Sequence, residues 1–361
     1  MSRAFNFSAG PATLPESVLM QVQQEMLEWQ GERASVMEVS HRGKAFVECA
    51  AQAEADMREL MGISDDYAVL FLQGGATTVS ALFPMNMARQ DQVGEYLLTG
   101  HWSEKALENA SASVTTHVVA SDKQNGYRSI PDLSQWQRAS NSAYFHYTSN
   151  ETIHGVEFPN IPDIEDVPLV ADFSSNFLAK PVDVSRFGMM YAGAQKNLGP
   201  AGIVIVIVRK DLLGKHQRNL PPILDWQNQL KNDSMFNTPA TLPWYVVGLV
   251  LQWMKAEGGL QVFAERNAAK SALLYQRIDQ SNGFYCNEVS VAARSVMNIP
   301  FMLKDEALDK AFLKESEQAG LLGLKGHRAL GGMRASIYNA MPLAGVQALA
   351  DFMSDFAVRN G

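Results

Sequence analysis

Cysteine is nearly missing from this chain of 361 residues, which has only two, Cys49 and Cys286. Two isolated cysteines cannot build a disulfide framework or a thiolate zinc site. The seven histidines are scattered without His-Glu-x-x-His spacing, so no metal is expected. Long apolar runs are missing too: the longest aliphatic stretch, Ile203 to Val208, is far too short to cross a bilayer. The N-terminal Met1-Ser-Arg-Ala-Phe-Asn-Phe lacks the apolar core of a signal peptide, and a cytoplasmic location is expected. No lysine or arginine run offsets the net charge of −8, which argues against nucleic acid or a membrane surface as partner. Neither G-x-G-x-x-G nor Gly-Lys-Ser/Thr occurs, so the dinucleotide and P-loop fingerprints are excluded.

What is present is ordinary globular composition, 47% hydrophobic and 19% charged, long enough for a large domain with a smaller one appended. Tyr67–Leu72, Ala143–Thr148, Pro168–Ala171, Gly188–Ala194 and Ile203–Val208 read as buried strands. Between them lie helical patterns at Pro15–Gln30, Lys44–Met61 and Thr77–Ala88. Continuous apolar strands alternating with helices predict an α/β fold with a largely parallel sheet flanked by helices. The texture changes at Glu257-Gly258-Gly259. Beyond it a long helix (Leu260–Gln280), a strand near Ser295–Met302 and helices at Glu306–Ala319 and Ala344–Arg359 predict a smaller α+β domain. The expected division is 1–258 and 259–361, with segment 1–15 packing on the smaller domain. The polar, proline-punctuated Lys231–Pro243 reads as a functional loop.

Lys196 stands in Tyr191-Ala-Gly-Ala-Gln-Lys-Asn-Leu-Gly-Pro-Ala-Gly202, directly before the strand at Ile203. Alone it would read as a solvated turn lysine. Its small neighbours instead allow close approach of something flat, and a buried lysine of lowered pKa can form a Schiff base with an aldehyde cofactor. Asp172 ends an apolar strand, where α/β sheets present ligand-binding groups. It suits the carboxylate that keeps a pyridine nitrogen protonated. Gly74-Gly75-Ala76-Thr77-Thr78, between strand and helix, suits a phosphate cup. Together the three point to pyridoxal 5′-phosphate. Trp102 could stack on its ring and Thr152 reach its phenolic oxygen. Two His-Arg pairs, His41-Arg42 and His327-Arg328, occur where chance gives roughly a third of one. Flanked by glycines in an acidic chain, they suggest a dianionic phosphate, leaving Arg334 to grip a carboxylate.

On Asn6-Phe-Ser-Ala-Gly-Pro-Ala-Thr-Leu-Pro15, Ser40-His-Arg-Gly43, Gln73-Gly-Gly-Ala-Thr77, Tyr191-Ala-Gly-Ala-Gln-Lys-Asn197, Gly199-Pro-Ala-Gly202 and Gly326–Pro342, the chain resembles the phosphoserine aminotransferase family. That family lies in the class-V group of fold-type-I (aspartate aminotransferase-like) enzymes. The resemblance covers essentially the whole length. It implies that Lys196 carries pyridoxal 5′-phosphate, Asp172 pairs with the pyridine nitrogen, Trp102 stacks on the ring and Thr152 contacts its hydroxyl. It also implies that Ala76, Thr77 and Gln195 hold the cofactor phosphate, joined by Asn237 and Thr238 of a second copy in a homodimer with shared sites. His41 and Arg42, crossing that interface, would join His327 and Arg328 on the substrate phosphate, with Arg334 on the α-carboxylate. The implied substrates are phosphoserine and glutamate or 2-oxoglutarate, in serine biosynthesis, with 4-phosphohydroxy-L-threonine of pyridoxine biosynthesis as a secondary one. Val79, Ser80 and Ala344 depart from the family pattern.

Alternatives stay open at this level. A cysteine desulfurase needs an activated thiolate, which neither cysteine's context supplies. A transaminase of unphosphorylated amino acids would not need both His-Arg pairs, and a phosphate-binding protein without catalysis would not need Lys196.

Overall fold

A computed structural model describes residues 3–361. The chain opens with strand β1 (Phe5–Asn6) and helices α1 (Glu16–Gln24) and α2 (Lys44–Met61). Then follow β2 (Tyr67–Gly74), α3 (Ala76–Met87), β3 (Val93–Leu98), α4 (His101–Ala110), β4 (Thr115–Ser121) and β5 (Ser142–Thr148). A small hairpin, β6 (Asn150–Glu151) and β7 (Val156–Glu157), precedes β8 (Leu169–Asp172), β9 (Met189–Gly193) and β10 (Gly202–Arg209). Helices α5 (Trp226–Lys231), α6 (Thr241–Ala256) and α7 (Leu260–Asp279) come next. The last part adds β11 (Tyr285–Cys286), β12 (Asn298–Leu303), α8 (Asp309–Gln318), β13 (Leu321–Leu322), β14 (Met333–Ser336) and α9 (Leu343–Asn360).

Seven strands form the main sheet in the order β2-β10-β9-β8-β5-β3-β4. Only β10 runs against its neighbours, and the other pairs are parallel. The unbroken β-branched run of β10 follows from burial on both faces. Ile203, Ile205 and Ile207 join the cluster containing α2 and α6, while Val204, Val206 and Val208 join the one containing α3. Each of these side chains contributes about 1.5–3 kcal/mol relative to exposure. A third cluster gathers α7, α9 and the sheet β11-β12-β14, and it takes in Phe7 from the N-terminal segment. There β1 pairs in parallel with β13, Phe5 opposite Leu321.

The structure corrects several expected boundaries. The helix expected over Pro15–Gln30 ends at Gln24. Gln30 and Gly31 take left-handed backbone (φ 52° and 86°), and the turn buries Trp29 edge-on against Tyr245. The strand expected from Ser295 begins at Asn298, because the Ser295 hydroxyl accepts the N–H of Met297 and Asn298 and makes a turn. The loop expected to run to Pro243 stops at Ala240, and Pro243 lies in the first turn of α6. Helix α6 itself had no periodic signature, since Trp244 to Leu251 are all buried.

Candidate active site

β2, β5, β8 and β9 all run the same way, so Gly74, Thr148, Asp172 and Gly193 finish at one edge of the sheet. The connections leaving that edge carry Gly75–Thr77, Trp102, Thr152 and Lys196, which is where an open α/β sheet collects ligand-binding groups.

Lys196 is buried, with 8% of its surface exposed, in the turns between β9 and β10. Its ammonium donates to the Thr152 hydroxyl at 2.6 Å and lies 5.5 Å from the Trp102 ring centre. Burial pushes its pKa down to about 8 and the Arg334 guanidinium adds to that, while Asp172 and Glu151 pull it back up. An amine in that range keeps a substantial neutral fraction near neutral pH, as a nucleophile needs. Asp172 accepts the Ser174 N–H at 2.8 Å. Burial pushes its carboxyl up, against the field of Lys196 and the Ser174 hydrogen bonds. Arg334, on β14, donates to the Thr152 carbonyl at 3.3 Å, and burial lowers its pKa from the ordinary value. The structure therefore gathers Lys196, Thr152, Trp102, Asp172 and Arg334 in one crevice. Three parts of the chain far apart in sequence supply them.

The N-terminal segment floors this crevice. A Cβ on Gly10 would lie 3.4 Å from the Lys196 Cγ, and the Ala12 N–H donates to the Gln195 carbonyl at 2.9 Å. Gly193 admits the Gln195 side chain, whose Oε1 would lie 2.5 Å from an added Cβ. Across the edge, α3 starts at Ala76 and Thr77 after Gly75, and no side chain caps its first turn. Those N–H groups and the helix dipole are free for an anion. Thr238 comes beside this point, where the Gln73 side-chain amide donates to its carbonyl, and Asn237 next to it is exposed.

On the outer side, His327 lies 5.7 Å from the His101 ring, which in turn lies 5.2 Å from Trp102. Burial, Arg334, His101 and Arg328 all lower the His327 pKa. Arg328 is exposed next to it. His41 and Arg42 make none of the contacts that join this cluster within one chain. They sit in the loop before α2, where the Arg42 N–H bonds to the Ser40 hydroxyl, and no hydrogen bond among the described residues ties either to Lys196, Arg334 or His327.

Glu151 was not picked out from sequence. It is wholly buried, and its two oxygens accept the N–H of Trp102 at 2.9 Å and of Ser103 at 2.8 Å. Burial pushes its carboxyl up to about 7, against those hydrogen bonds and with Asp172 adding to the rise. The signal available was only its place one residue before Thr152. The departures from the family pattern are accommodated: Val79 is in the core, and Ser80 accepts the Asn109 amide at 2.8 Å, linking α3 to α4. Ala344 is exposed in the first turn of α9.

A flat aldehyde carrying a phosphate fits this donor set. It finds a buried amine, a carboxylate, an indole face whose buried Nε1 has no partner, and an uncapped helix start. Among the described residues no helix is long and apolar enough to cross a membrane, and no cluster of three or more His, Cys, Asp or Glu side chains could hold a metal ion.

The profile of the aminotransferase class-V family matches residues 4–349. A protein of Stenotrophomonas maltophilia (strain K279a) named phosphoserine aminotransferase is 56% identical over 361 residues, 100% of both chains. One of the same name from Xanthomonas axonopodis pv. citri (strain 306) is 55% identical over the same span. Among solved structures, phosphoserine aminotransferase from Bacillus circulans subsp. alkalophilus aligns with a TM-score of 0.97 at 46% identity, covering 99% of each chain. The PLP-bound phosphoserine aminotransferase of Trichomonas vaginalis gives 0.92 at 38% identity, covering 98% of this chain and 100% of its own.

Proposed function

The chain belongs to the class-V aminotransferase family, and on that premise we propose that it transfers an amino group between O-phospho-L-serine and 2-oxoglutarate. The products are 3-phosphohydroxypyruvate and L-glutamate, and the reaction serves L-serine biosynthesis. The observation that carries this reading is the buried Lys196 amine on the Thr152 hydroxyl, with Arg334 holding the carbonyl of that same residue.

Pyridoxal 5′-phosphate, when bound, supplies an aldehyde that captures amines and an electron sink for bond breaking at Cα. The chain's residues do the rest. Lys196 holds the cofactor and carries the proton to and from the substrate Cα. Asp172 would keep the proton on the pyridine nitrogen, and the Ser174 N–H fixes its position and favours its charged form against the burial that pushes its carboxyl up. Trp102 would cover one face of the ring and exclude water, and Thr152 would present its hydroxyl to the ring oxygen. The first turn of α3 at Ala76 and Thr77, with Gln195, binds the cofactor phosphate. Arg334 binds the α-carboxylate, leaving His327 and Arg328 for the phosphate of the substrate.

The proposal extends to a homodimer whose sites are shared. No hydrogen bond or ring contact among the described residues joins His41 or Arg42 to the cluster within a chain, and several large apolar side chains of the first forty residues and of the Asn237 loop are left in the open. Leu27 is 88% exposed, Met37 54% and Met20 53%, while Phe236 is exposed beside Asn237 and Thr238. A face of that kind buries against a second copy. It would bring Asn237 and Thr238 to the neighbour's cofactor phosphate, and His41 and Arg42 to its substrate phosphate. Each chain divides into 1–258 and 259–361, a division supported by the third cluster, which gathers most of the buried side chains after 259 together with Phe7. Both cysteines are free, which suits the cytoplasm.

A coupled assay tests the substrate reading, comparing phosphoserine with serine as donor to 2-oxoglutarate. Two or three charge-assisted hydrogen bonds that serine cannot make, each about 1.5–3 kcal/mol, give a preference of roughly a thousandfold or more in kcat/KM. If Arg42→Ala and Arg328→Ala keep that preference, a general transaminase is the better reading.

A further inference from the structure

Two connections at the sheet edge are fastened by one carboxylate. Glu151 ends β6, and its oxygens take the first-turn N–H groups of α4, 49 and 48 residues away in sequence. The start of α4 is shaped to receive it. Ser103 accepts the N–H of Thr99 and of Gly100, each at 3.0 Å, and returns a bond to the Gly100 carbonyl at 2.9 Å. Gly100 leaves the space, for a Cβ there would lie 2.4 Å from the Glu151 Cδ. Directly after Glu151 stands Thr152, with Lys196 on its hydroxyl and Arg334 on its carbonyl. One of the two N–H groups that Glu151 holds is that of Trp102.

We propose that Glu151 is a positioning residue, whose carboxylate locks the first turn of α4 to the Thr152 turn and so sets the Trp102 indole against the cofactor ring. The start of α4 is itself buried, with Thr99 and Ser103 wholly so, and its N–H groups therefore need internal partners. A capping role alone would be met by any acceptor, whereas a tie to the Thr152 turn also governs where the indole sits. Here the acid is wholly buried and both oxygens go to two consecutive N–H groups, which fixes rotation as well as position. Asn or Gln could supply only one acceptor and would turn a donor toward the second N–H.

The inference rests on the proposed place of Trp102 over the ring, and the test separates the two. Pyridoxamine 5′-phosphate, the amine form held without a covalent bond, serves as probe. Its dissociation constant is measured by equilibrium dialysis for the full-length protein, Trp102→Ala, Glu151→Gln and the double variant. The induced circular dichroism of the cofactor band is recorded alongside. An aromatic contact of this kind corresponds to roughly a two- to twelvefold change in affinity. Trp102→Ala and Glu151→Gln should each weaken binding by that order and reduce the dichroic band, and the double variant should be no worse than Trp102→Ala alone. A structural role without connection to the indole gives multiplying losses instead, and that result overturns the inference, as does unchanged binding in Glu151→Gln. If Trp102→Ala itself binds normally, the reading of Trp102 is wrong and the inference falls with it. Gly100→Ala keeps the carboxylate and removes its space. It should reproduce the loss, and it carries the test should Glu151→Gln fail to fold; normal binding in Gly100→Ala refutes the clamp.

Discussion

Arg334 is held half-buried, with its Nη1 on the Thr152 carbonyl, and no carboxylate among the described residues pairs with it. A desolvated guanidinium without a counter-ion is strained until an anion arrives. Arg334→Met keeps the length and apolar stem and removes the charge alone. Two charge-assisted hydrogen bonds to an α-carboxylate, each about 1.5–3 kcal/mol, amount to about 3–6 kcal/mol of lost binding. That corresponds to a fall of roughly a hundredfold to ten-thousandfold in kcat/KM. Because phosphoserine and glutamate present the same α-carboxylate, both should lose by a similar factor. The melting temperature of the cofactor-free variant should meanwhile match or exceed that of the parent, as an unpaired buried charge has gone. The assay is kcat/KM for both amino donors, with thermal melts of the apoprotein beside it. A loss confined to phosphoserine would refute the reasoning and move Arg334 to the phosphate pocket; a loss below tenfold for both would remove it from the site.

Other outcomes follow from the same geometry. Lys196→Ala should keep the fold and lose transamination by many orders of magnitude, and turnover above a few per cent of normal would sink its assignment. Mixing Lys196→Ala with Arg42→Ala chains should regenerate activity through hybrid dimers with one intact site. No recovery after subunit exchange, verified by mass, would count against sharing. His146 is wholly buried, on the Tyr191 hydroxyl at 3.0 Å and stacked on Phe83, and burial pushes its pKa down to about 3. Below pH 6.5 the unfolded chain therefore binds a proton that the folded one refuses. Stability attributable to this group falls by about 1.4 kcal/mol per pH unit as pH drops toward 3. Denaturant midpoints at pH 7 and pH 5 should accordingly differ less in His146→Phe than in the parent, and equal differences would refute the argument.

How much of this was legible in sequence depends on where each signal is stored. The strand Ile203–Val208 announced itself because both of its faces are buried by packing that any β-branched run would need. Lys196 and Asp172 were visible as polar residues interrupting apolar or small-residue stretches at strand ends, whereas Thr152, in a polar run, was picked out only once a cofactor had been inferred. Glu151 was not, because an acid in a turn reads as solvated. Only the arrival of the α4 backbone makes it a buried clamp, and that contact leaves no periodicity. Helix α6 was missed for the opposite reason, since a helix buried on nearly every side has no polar face to mark its turn. The end of α1 was set by Trp29 seeking Tyr245, a partner in a different helix far along the chain. That His41 and Arg42 do not contact His327 and Arg328 within a chain was foreseen only through the family resemblance, because residue spacing by itself does not say which parts of the chain meet.

The N-terminal segment that floors the crevice also fixes the order in which the molecule can be finished. Some of its partners are made last: Phe5 lies opposite Leu321, and the Tyr338 hydroxyl donates to the Ala9 carbonyl 329 positions away. A growing chain on the ribosome can assemble all seven strands of the main sheet while its first dozen residues still hang free. Joining them closes a loop of nearly the whole polypeptide, and long-range contacts of that kind form slowly. Gly10 lies beside Lys196, and Ala12 on Gln195, in the same segment that makes this seam. Arg334, whose charge lowers the Lys196 pKa, stands on β14 beyond that seam, so the electrostatic setting of the reactive amine is complete only when the two ends of the chain have met.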